Sequence, residues 1–568
     1  DEHKVTHEMI AGAQLSQAER DAISARAAEL VRGVRKNAKS TIMEKFLAEY
    51  GLTTKEGVAL MCLAEALLRV PDNTTIHELI EDKITSGAWG THVGKASSGL
   101  INTATVALLM TSNLLKDSER NTVGETLRKL LKRFGEPVIR TVAGQAMKEM
   151  GRQFVLGRDI EEAQDEAKEY MAKGYTYSYD MLGEAARTDD DAKRYYDSYS
   201  NAIDSIAKAS KGDVRKNPGI SVKLSALLAR YEYGNKERVM NELLPRAREL
   251  VKKAAAANMG FNIDAEEQDR LDLSLDVIEA LVADPEIANW DGFGVVVQAY
   301  GKRSSFVIDW LYGLAEKYDR KLMVRLVKGA YWDAETIEAE AHNFMAPQYL
   351  NKEETDLHFR QLIYISLKHP KEIILAIASH NIQDHCFGEA LREKMFPESP
   401  VIEHQCLHMT YEALSIGLSK MNWPTRNYIP VGDLLVGMAY LVRRIMENSS
   451  QVGVLTIMRS HKKGNLFRLP YEILAEKKET NAYVNDEALN SLTKEFRNIF
   501  PLRSYLEDHF KLIQNKLKDD LKDLKDVKLY YNEGDFSVVS SSHPSLTIGK
   551  IQMDTQQTVD QKINSLFE

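Results

Sequence analysis

The chain of 568 residues carries 74 Lys and Arg against 83 Asp and Glu, a formal charge of −9, with 44% hydrophobic and 28% charged residues. That balance belongs to a globular protein of several domains and excludes a largely disordered or collagen-like chain. The negative sum gives no global reason to expect a polyanionic partner such as nucleic acid.

The first residues, Asp1-Glu2-His3-Lys4, lack the basic start and apolar run of a signal peptide. From Glu19 to about Met150 the pattern is helical, with Glu56 to Val70 rich in strong helix formers and stopped by Pro71. The most membrane-like run, Gly99 to Leu115, is interrupted by polar residues and is shorter than the about 20 apolar residues of a spanning helix. It reads as a core helix.

A second regime begins near Tyr175, where short β-branched runs alternate with helical stretches. Eight strands are expected at 175–181, 220–227, 260–265, 294–300, 322–327, 373–379, 401–405 and 428–431. Strands separated by helices pair in parallel through right-handed crossovers, and eight of them in about 270 residues match a (β/α)8 barrel. A doubly wound sheet is the rival, but no G-x-G-x-x-G occurs. Lys223, Asp264, Gln298, Arg325, His380, Gln405 and Tyr428 lie within or at the ends of seven of these strands. In a closed barrel such ends converge on one mouth.

Beyond the eighth strand, Arg443 and Arg444 sit in a helix rich in apolar residues, with Glu447 one turn on. Two adjacent guanidiniums suit a carboxylate or phosphate, although snorkelling surface arginines would look the same. Lys223 is either a contact to an anionic substrate, a Schiff-base amine, or half of a structural bridge to Asp264. Arg325-Leu-Val-Lys-Gly-Ala-Tyr-Trp332 ends a strand in a glycine turn with two cations and two aromatics, an arrangement suited to a large conjugated cofactor. His404, Cys406 and His408, like His380, His385 and Cys386, lack an established ligand spacing, so no metal is expected. Only three cysteines occur, which points to a reducing compartment and no disulfide framework. Further on, Leu512, Leu517, Leu521, Leu524 and Val527 mark an amphipathic helix. Phe536 to Val539 and Ile548 to Ile551 open a strand-like unit followed by a terminal helix.

Taken together, Ser-Val-Lys-Leu-Ser-Ala-Leu at 221–227, Asn-Ile-Asp-Ala-Glu-Glu at 262–267, Val-Gln-Ala-Tyr at 297–300, Arg-Leu-Val-Lys-Gly-Ala-Tyr-Trp-Asp at 325–333, Ser-His-Asn at 379–381, Tyr-Ile-Pro-Val-Gly at 428–432 and Tyr-Leu-Val-Arg-Arg at 440–444 closely resemble the proline dehydrogenase domain of the bacterial bifunctional proline utilization A family. The resemblance implies an α/β fold, a (β/α)8 barrel over 151–460, preceded by helices over 1–150 and followed by a helical linker over 461–530. Residues 531–568 resemble the start of an aldehyde dehydrogenase domain, so that activity is expected only in a longer parent protein.

The implied activity is FAD-dependent oxidation of L-proline to Δ1-pyrroline-5-carboxylate, with electrons passed to a membrane quinone by a cytoplasmic protein in peripheral contact with the membrane. By motif, Lys223, Arg443 and Arg444 would bind the proline carboxylate. Tyr331, Leu407 and Tyr428 would shape the pocket, with Asp264 supporting Lys223. Arg325 would lie near flavin N5. Gln298, Val327, Lys328, Gly329, Ala330, Trp332, Ser379, His380, Asn381, Gln405, Cys406 and Glu447 would surround FAD. Leu350-Asn351-Lys352 and the run after Asn448 depart from the family pattern and imply altered FAD retention. No ribbon-helix-helix segment precedes the helical region, so no nucleic acid is expected as a partner. Self-association through the helical arms is compatible with the sequence. An aldolase-like barrel using Lys223 or Lys328 as an imine-forming amine is the rival enzyme.

Overall fold

The computed structural model describes residues 16–37, 75, 157–342, 344–408, 412–432, 502–526, 536–539, 547–551 and 554–565. The chain divides into two compact units, Asp1–Asn498 and Ile499–Glu568.

In the first unit, eight parallel strands close into a barrel in chain order. They are β1 (Thr176–Asp180), β2 (Gly219–Val222), β3 (Gly260–Ile263), β4 (Phe293–Gln298), β5 (Leu322–Val327), β6 (Ile373–Ala378), β7 (Glu403–Leu407) and β8 (Thr425–Pro430). Closure comes from β1 pairing with β8, with Ser178 opposite Tyr428. Such strands are covered on both faces, which is why β2 to β6 read as short, mostly apolar runs, while β1, β7 and β8 bury polar residues that are hydrogen-bonded. The expected strand at 220–227 is corrected: β2 stops at Val222, and Leu224–Ala226 forms a 3₁₀ turn. Lys223 therefore sits just past the strand, with its extended backbone free to turn its side chain into the mouth. The seventh strand also lies two residues later than expected at either end.

Helices cover the barrel. In chain order, α1 is Gln17–Asn37, α2 Ile160–Met171, α3 Asp189–Ala207, α4 Leu244–Ala256, α5 Leu271–Val282, α6 Ser304–Tyr318, α7 Trp332–Ala341, α8 Lys352–Leu367, α9 Ile382–Met395 and α10 Glu412–Lys420. Their starts follow from the sequence: Asp159 caps α2, Thr188 and Asp191 form a capping box on α3, and Asn381 caps α9. Helix α1 lays Ile23, Ala27, Leu30, Val31 and Val34 on α9 and α10, against Ile382, Cys386, Leu414, Leu418 and Trp423. Arg26 adds an ion pair to Glu393 at 3.1 Å.

Within β1 the two-residue alternation separates two environments. Tyr177 and Tyr179 are buried with ring centroids 5.9 Å apart, whereas Ser178 joins the hydrogen-bonded interior of the barrel. No described helix is long and apolar enough to cross a membrane.

The second unit contains α11 (Glu507–Asp526), an antiparallel pair β9 (Phe536–Val539) and β10 (Thr547–Ile551), and α12 (Gln556–Ser565). These elements match the helix, the strand-like opening and the terminal helix expected from the sequence. Leu512 and Leu517 of α11 are more than half exposed.

Candidate active site

The polar residues read from the strand ends do converge. Beyond the C-terminal ends of the strands lies a cavity of about 290 Å³, near the lower edge of the ~300–1,000 Å³ typical of small-molecule sites. Loops at this end of a barrel can be varied without disturbing the strands that hold them.

Its base is one hydrogen-bonded cluster. Lys223 Nζ donates to Asp180 Oδ2 at 3.0 Å, to Asp264 Oδ2 at 3.3 Å and to the Tyr428 hydroxyl at 3.3 Å. An ammonium has three N–H groups, so all are engaged. Tyr428 shares its hydroxyl with Asp264 at 2.8 Å and with Asp180. Arg325, reaching across from β5, donates to Asp264 Oδ1 at 3.0 Å, Ser221 Oγ at 2.9 Å and Ser178 Oγ at 3.2 Å. Its guanidinium carbon lies 5.5 Å from the Tyr428 ring centroid.

Two cations thus face two carboxylates in a buried cluster with no net formal charge. Burial alone would pull the Lys223 ammonium down, but Asp180, Tyr428 and Asp264 outweigh it and hold it well above the ordinary lysine range. A permanently protonated amine cannot start an imine, so the geometry speaks against Lys223 as a Schiff-base nucleophile. Lys328 is likewise held up against its burial by Asp356 and Asp384, the latter at 3.0 Å.

The walls come from neighbouring loops. Gln298 bridges two of them, accepting from the Ala330 amide at 3.1 Å and donating to the Glu266 carbonyl at 2.8 Å. Gly329 has φ +136°, and a Cβ there would meet Tyr300 Cδ1 at 2.4 Å, so only glycine fits the turn. Val327, Lys328, Gly329, Ala330 and Tyr331 form one side of the cavity. Ser379, His380, Gln405, Cys406 and Leu407 form another. His380 Nε2 accepts the Leu407 amide at 3.1 Å.

Trp332 and Asn381 are not among the residues lining the cavity. Trp332 gives its indole N–H to the Tyr349 carbonyl at 3.0 Å, and Asn381 caps α9. Arg443, Arg444 and Glu447 lie outside the described residues, as does the run after Asn448. At the first departure from the family pattern, Asn351 bonds Glu354 at 3.2 Å and Lys352 pairs with Asp356. Cys386 and Cys406 are buried free thiols pushed up to about 12 by burial, unfit as nucleophiles. His385 and His404 meet through their Nδ1 atoms at 2.8 Å, a hydrogen bond rather than a ligand geometry.

Sequence reasoning missed Asp180, the carboxylate closest to Lys223. It ends an aromatic strand, and β1 was the one strand for which no polar mouth residue was sought; its position at the strand end was the available signal. Ser178 and Ser221 were missed because a serine in a strand looks like ordinary β-structure.

The residues also suit an FAD. Flat, apolar and hydrogen-bonding groups share the walls, and the buried Arg325 Nε has no hydrogen-bond partner among the described residues. An unsatisfied buried donor of that kind costs free energy until a ligand meets it.

Residues 163–456 match the family model described as proline dehydrogenase. Bifunctional protein PutA of Klebsiella aerogenes is 43% identical over 423 residues, 73% of this chain and 32% of that protein. The Rhizobium meliloti protein of the same name is 42% identical over 78% of this chain and 36% of that protein. The chain therefore spans about a third of the length of these curated relatives. A crystal structure of a single-residue mutant of Bradyrhizobium japonicum proline utilization A aligns with 91% of this chain and 52% of that one, at 36% identity and a TM-score of 0.69.

One expectation is overturned. Residues 42–154 match a family model described as the DNA-binding domain of proline dehydrogenase, so the expectation of no nucleic-acid partner is withdrawn. It rested on the lack of a ribbon-helix-helix segment before the helical region and on a charge summed over the whole chain, which hides local concentrations such as Arg128, Lys129, Lys132 and Arg133. With a match over more than half its length and a barrel mouth built from the expected motifs, this chain belongs to the proline dehydrogenase family.

Proposed function

We propose that the chain oxidises L-proline to Δ1-pyrroline-5-carboxylate by hydride transfer from proline C5 to flavin N5, with electrons passed to a membrane quinone. The observation that carries this reading is the buried cluster of Lys223, Asp180, Asp264, Arg325 and Tyr428 beside a cavity of small-molecule size. Val327 to Tyr331, Gln298, Ser379, His380, Gln405 and Cys406 would hold FAD, with Trp332, Asn381 and Glu447 assigned by motif alone. Bound there, FAD supplies the acceptor for the hydrogen and electron pair leaving proline C5.

The rest falls to the chain's own groups. The neutral cluster supplies rigidity and hydrogen bonds rather than excess positive charge. The substrate carboxylate is therefore assigned mainly to Arg443 and Arg444, with Lys223 turning one N–H toward it at the expense of its 3.3 Å contact to Tyr428. Tyr331, Leu407 and Tyr428 shape the space for the proline ring. Orientation of one C–H bond is then the main contribution to rate.

The decisive measurement is the visible spectrum of the purified chain before and after anaerobic L-proline. Yellow protein bleached by proline is expected, and a colourless protein that cannot be reconstituted with FAD ends the reading. We further assign 1–150 to a helical arm, 151–460 to the catalytic barrel, 461–530 to a linker and 531–568 to the start of an aldehyde dehydrogenase-like domain. The proposed setting is a cytoplasmic protein, self-associated and in peripheral contact with a membrane.

A second reading concerns residues 42–154 alone, where the family match supports contact with DNA. Mobility shifts with duplex DNA that weaken steeply with salt are expected. No shift at low salt would refute it.

A further inference from the structure

Glu335 is a buried acid that the proposed chemistry does not use. It lies in the first turn of α7, where its amide bonds the Tyr331 carbonyl at 3.0 Å, and it is only 8% exposed. Oε1 accepts the backbone amide of Gln268 at 2.7 Å. Oε2 is buried with no hydrogen-bond partner in the described structure, and the Tyr300 hydroxyl, which faces the same carboxyl group, is in the same condition.

The surroundings disfavour a carboxylate. Glu267 and Asp269, from the turn after β3, add negative potential, the Gln268 amide bonds Oε1, and the Tyr300 hydroxyl, after β4, faces the carboxyl group without bonding it. Tyr331, at the start of α7, also faces Tyr300. The nearby guanidinium of Arg270 is engaged by Glu266 at 3.0 Å and Glu267 at 3.4 Å.

The position is a junction of three loops that build the cavity. Gln268 follows the Asp264 to Glu266 stretch after β3. Tyr300 follows Gln298 at the end of β4, and its ring packs against Gly329. Glu335 itself belongs to the helix that follows Gly329, Ala330 and Tyr331. Gln298 ties the same three loops on the cavity side, through Ala330 and the Glu266 carbonyl. Glu335 is the corresponding tie on the far side.

We propose that Glu335 is a positioning residue carried as the neutral acid, its Oε1 holding the Gln268 amide and its Oε2 set against the Tyr300 hydroxyl, and that loss of the acid proton leaves an uncompensated buried charge, releases the junction and loosens the Gly329–Tyr331 wall. Burial, reinforced by Glu267 and Asp269 and opposed by Gln268 and Tyr300, pushes the acid up to about 7. The switch therefore operates within a physiological range. Only its kinetic consequence rests on the proline dehydrogenase reading.

The test compares the full chain with Glu335→Gln, which is neutral and nearly isosteric, and Glu335→Ala, between about pH 6 and pH 8. In the wild type, an infrared carboxylic-acid C=O band bleaches over this range. Exchange at the Gln268 amide, corrected for intrinsic chemistry, rises about tenfold, the ratio of the two ionised fractions for a group near 7. Glu335→Gln lacks the band and stays protected at both pH values, whereas Glu335→Ala is unprotected at both. The wild-type proline KM rises with pH, and this dependence is flattened in Glu335→Gln. Exchange that ignores pH in the wild type, or a Glu335→Gln protein that behaves like Glu335→Ala, overturns the proposal. If the chain proves not to oxidise proline, the infrared and exchange measurements still decide the matter.

Discussion

Asp264 accepts from Arg325 at 3.0 Å, Lys223 at 3.3 Å and Tyr428 at 2.8 Å, so Asp264→Ala is the sharpest test of the cluster. A hydrogen bond to a charged group contributes about 1.5–3 kcal/mol, but simple addition overstates the loss. Asp180 remains to hold Lys223 and Tyr428. The better guide is the about 3–5 kcal/mol lost when one partner of a buried ion pair is removed. The side chains of Asp264 and Lys223 are each 11% exposed and that of Arg325 3%, so solvent screens the pair little. At about 2–4 °C per kcal/mol, the barrel's melting transition should fall by roughly 6–20 °C. Calorimetry of the wild type, Asp264→Ala, Arg325→Met and the double variant would measure both the loss and the coupling. The double variant should regain part of the stability, because the orphaned guanidinium has gone too. A single-variant loss under about 1 kcal/mol, or strict additivity, would refute the view of the cluster as mutually neutralising.

The same charge balance predicts that Arg444→Met raises the proline KM more than Lys223→Met does, with flavin retained in the former; equal effects in steady-state kinetics would reject the division of labour. Gly329→Ala must move the Tyr300 ring and strain a φ of +136°, so a loss of about 1–3 kcal/mol and weaker FAD retention are expected by melting and by flavin release. His358, buried with Nδ1 against the Ala299 carbonyl at 2.7 Å, is lowered to about 4 by burial, with that hydrogen bond opposing. The unfolded chain takes up this proton below about pH 6.5 and the native chain does not. The His358 contribution is therefore intact above pH 6.5 and about 3 kcal/mol is lost by pH 4. Denaturant titrations should show His358→Gln flattening that acid limb; an unchanged slope would sink the assignment.

How much of this molecule can be read from its sequence depends on which separations matter. Strands β2 to β6 were legible because a parallel strand covered on both faces is mostly apolar, a property confined to four to six adjacent residues, whereas β7 and β8 carry buried polar residues and begin two residues later and three residues earlier than expected. The mouth was legible because Lys223, Asp264, Gln298, Arg325 and Tyr428 each break that pattern at or near a strand end. Pairing was not legible. Lys328 is neutralised by Asp356 and Asp384, which stand on α8 and α9, and nothing local marks either acid as its partner. Lys223 was matched with Asp264, while its shorter contact is to Asp180, hidden at the end of a tyrosine-rich strand.

Those hidden pairings alter the chemical reading. From sequence, Lys223 reads as a contact to a substrate anion, an imine-forming amine or half of a bridge to Asp264. In the structure its charge is already met by two aspartates, and its protonated state is secured by them. A site that must attract an anionic amino acid then needs positive charge from elsewhere, and the arginine pair after β8 is the remaining source within the recognised motifs. Removing Asp180 or Asp264 should consequently strengthen anion binding even as it destabilises the barrel, because the cluster would gain one net positive charge. Isothermal titration of Asp180→Asn and Asp264→Asn with a non-reactive cyclic carboxylate would separate these effects. Tighter binding with a lower melting temperature is the expected pair of results, and weaker binding in both variants would return Lys223 to the role of principal carboxylate contact.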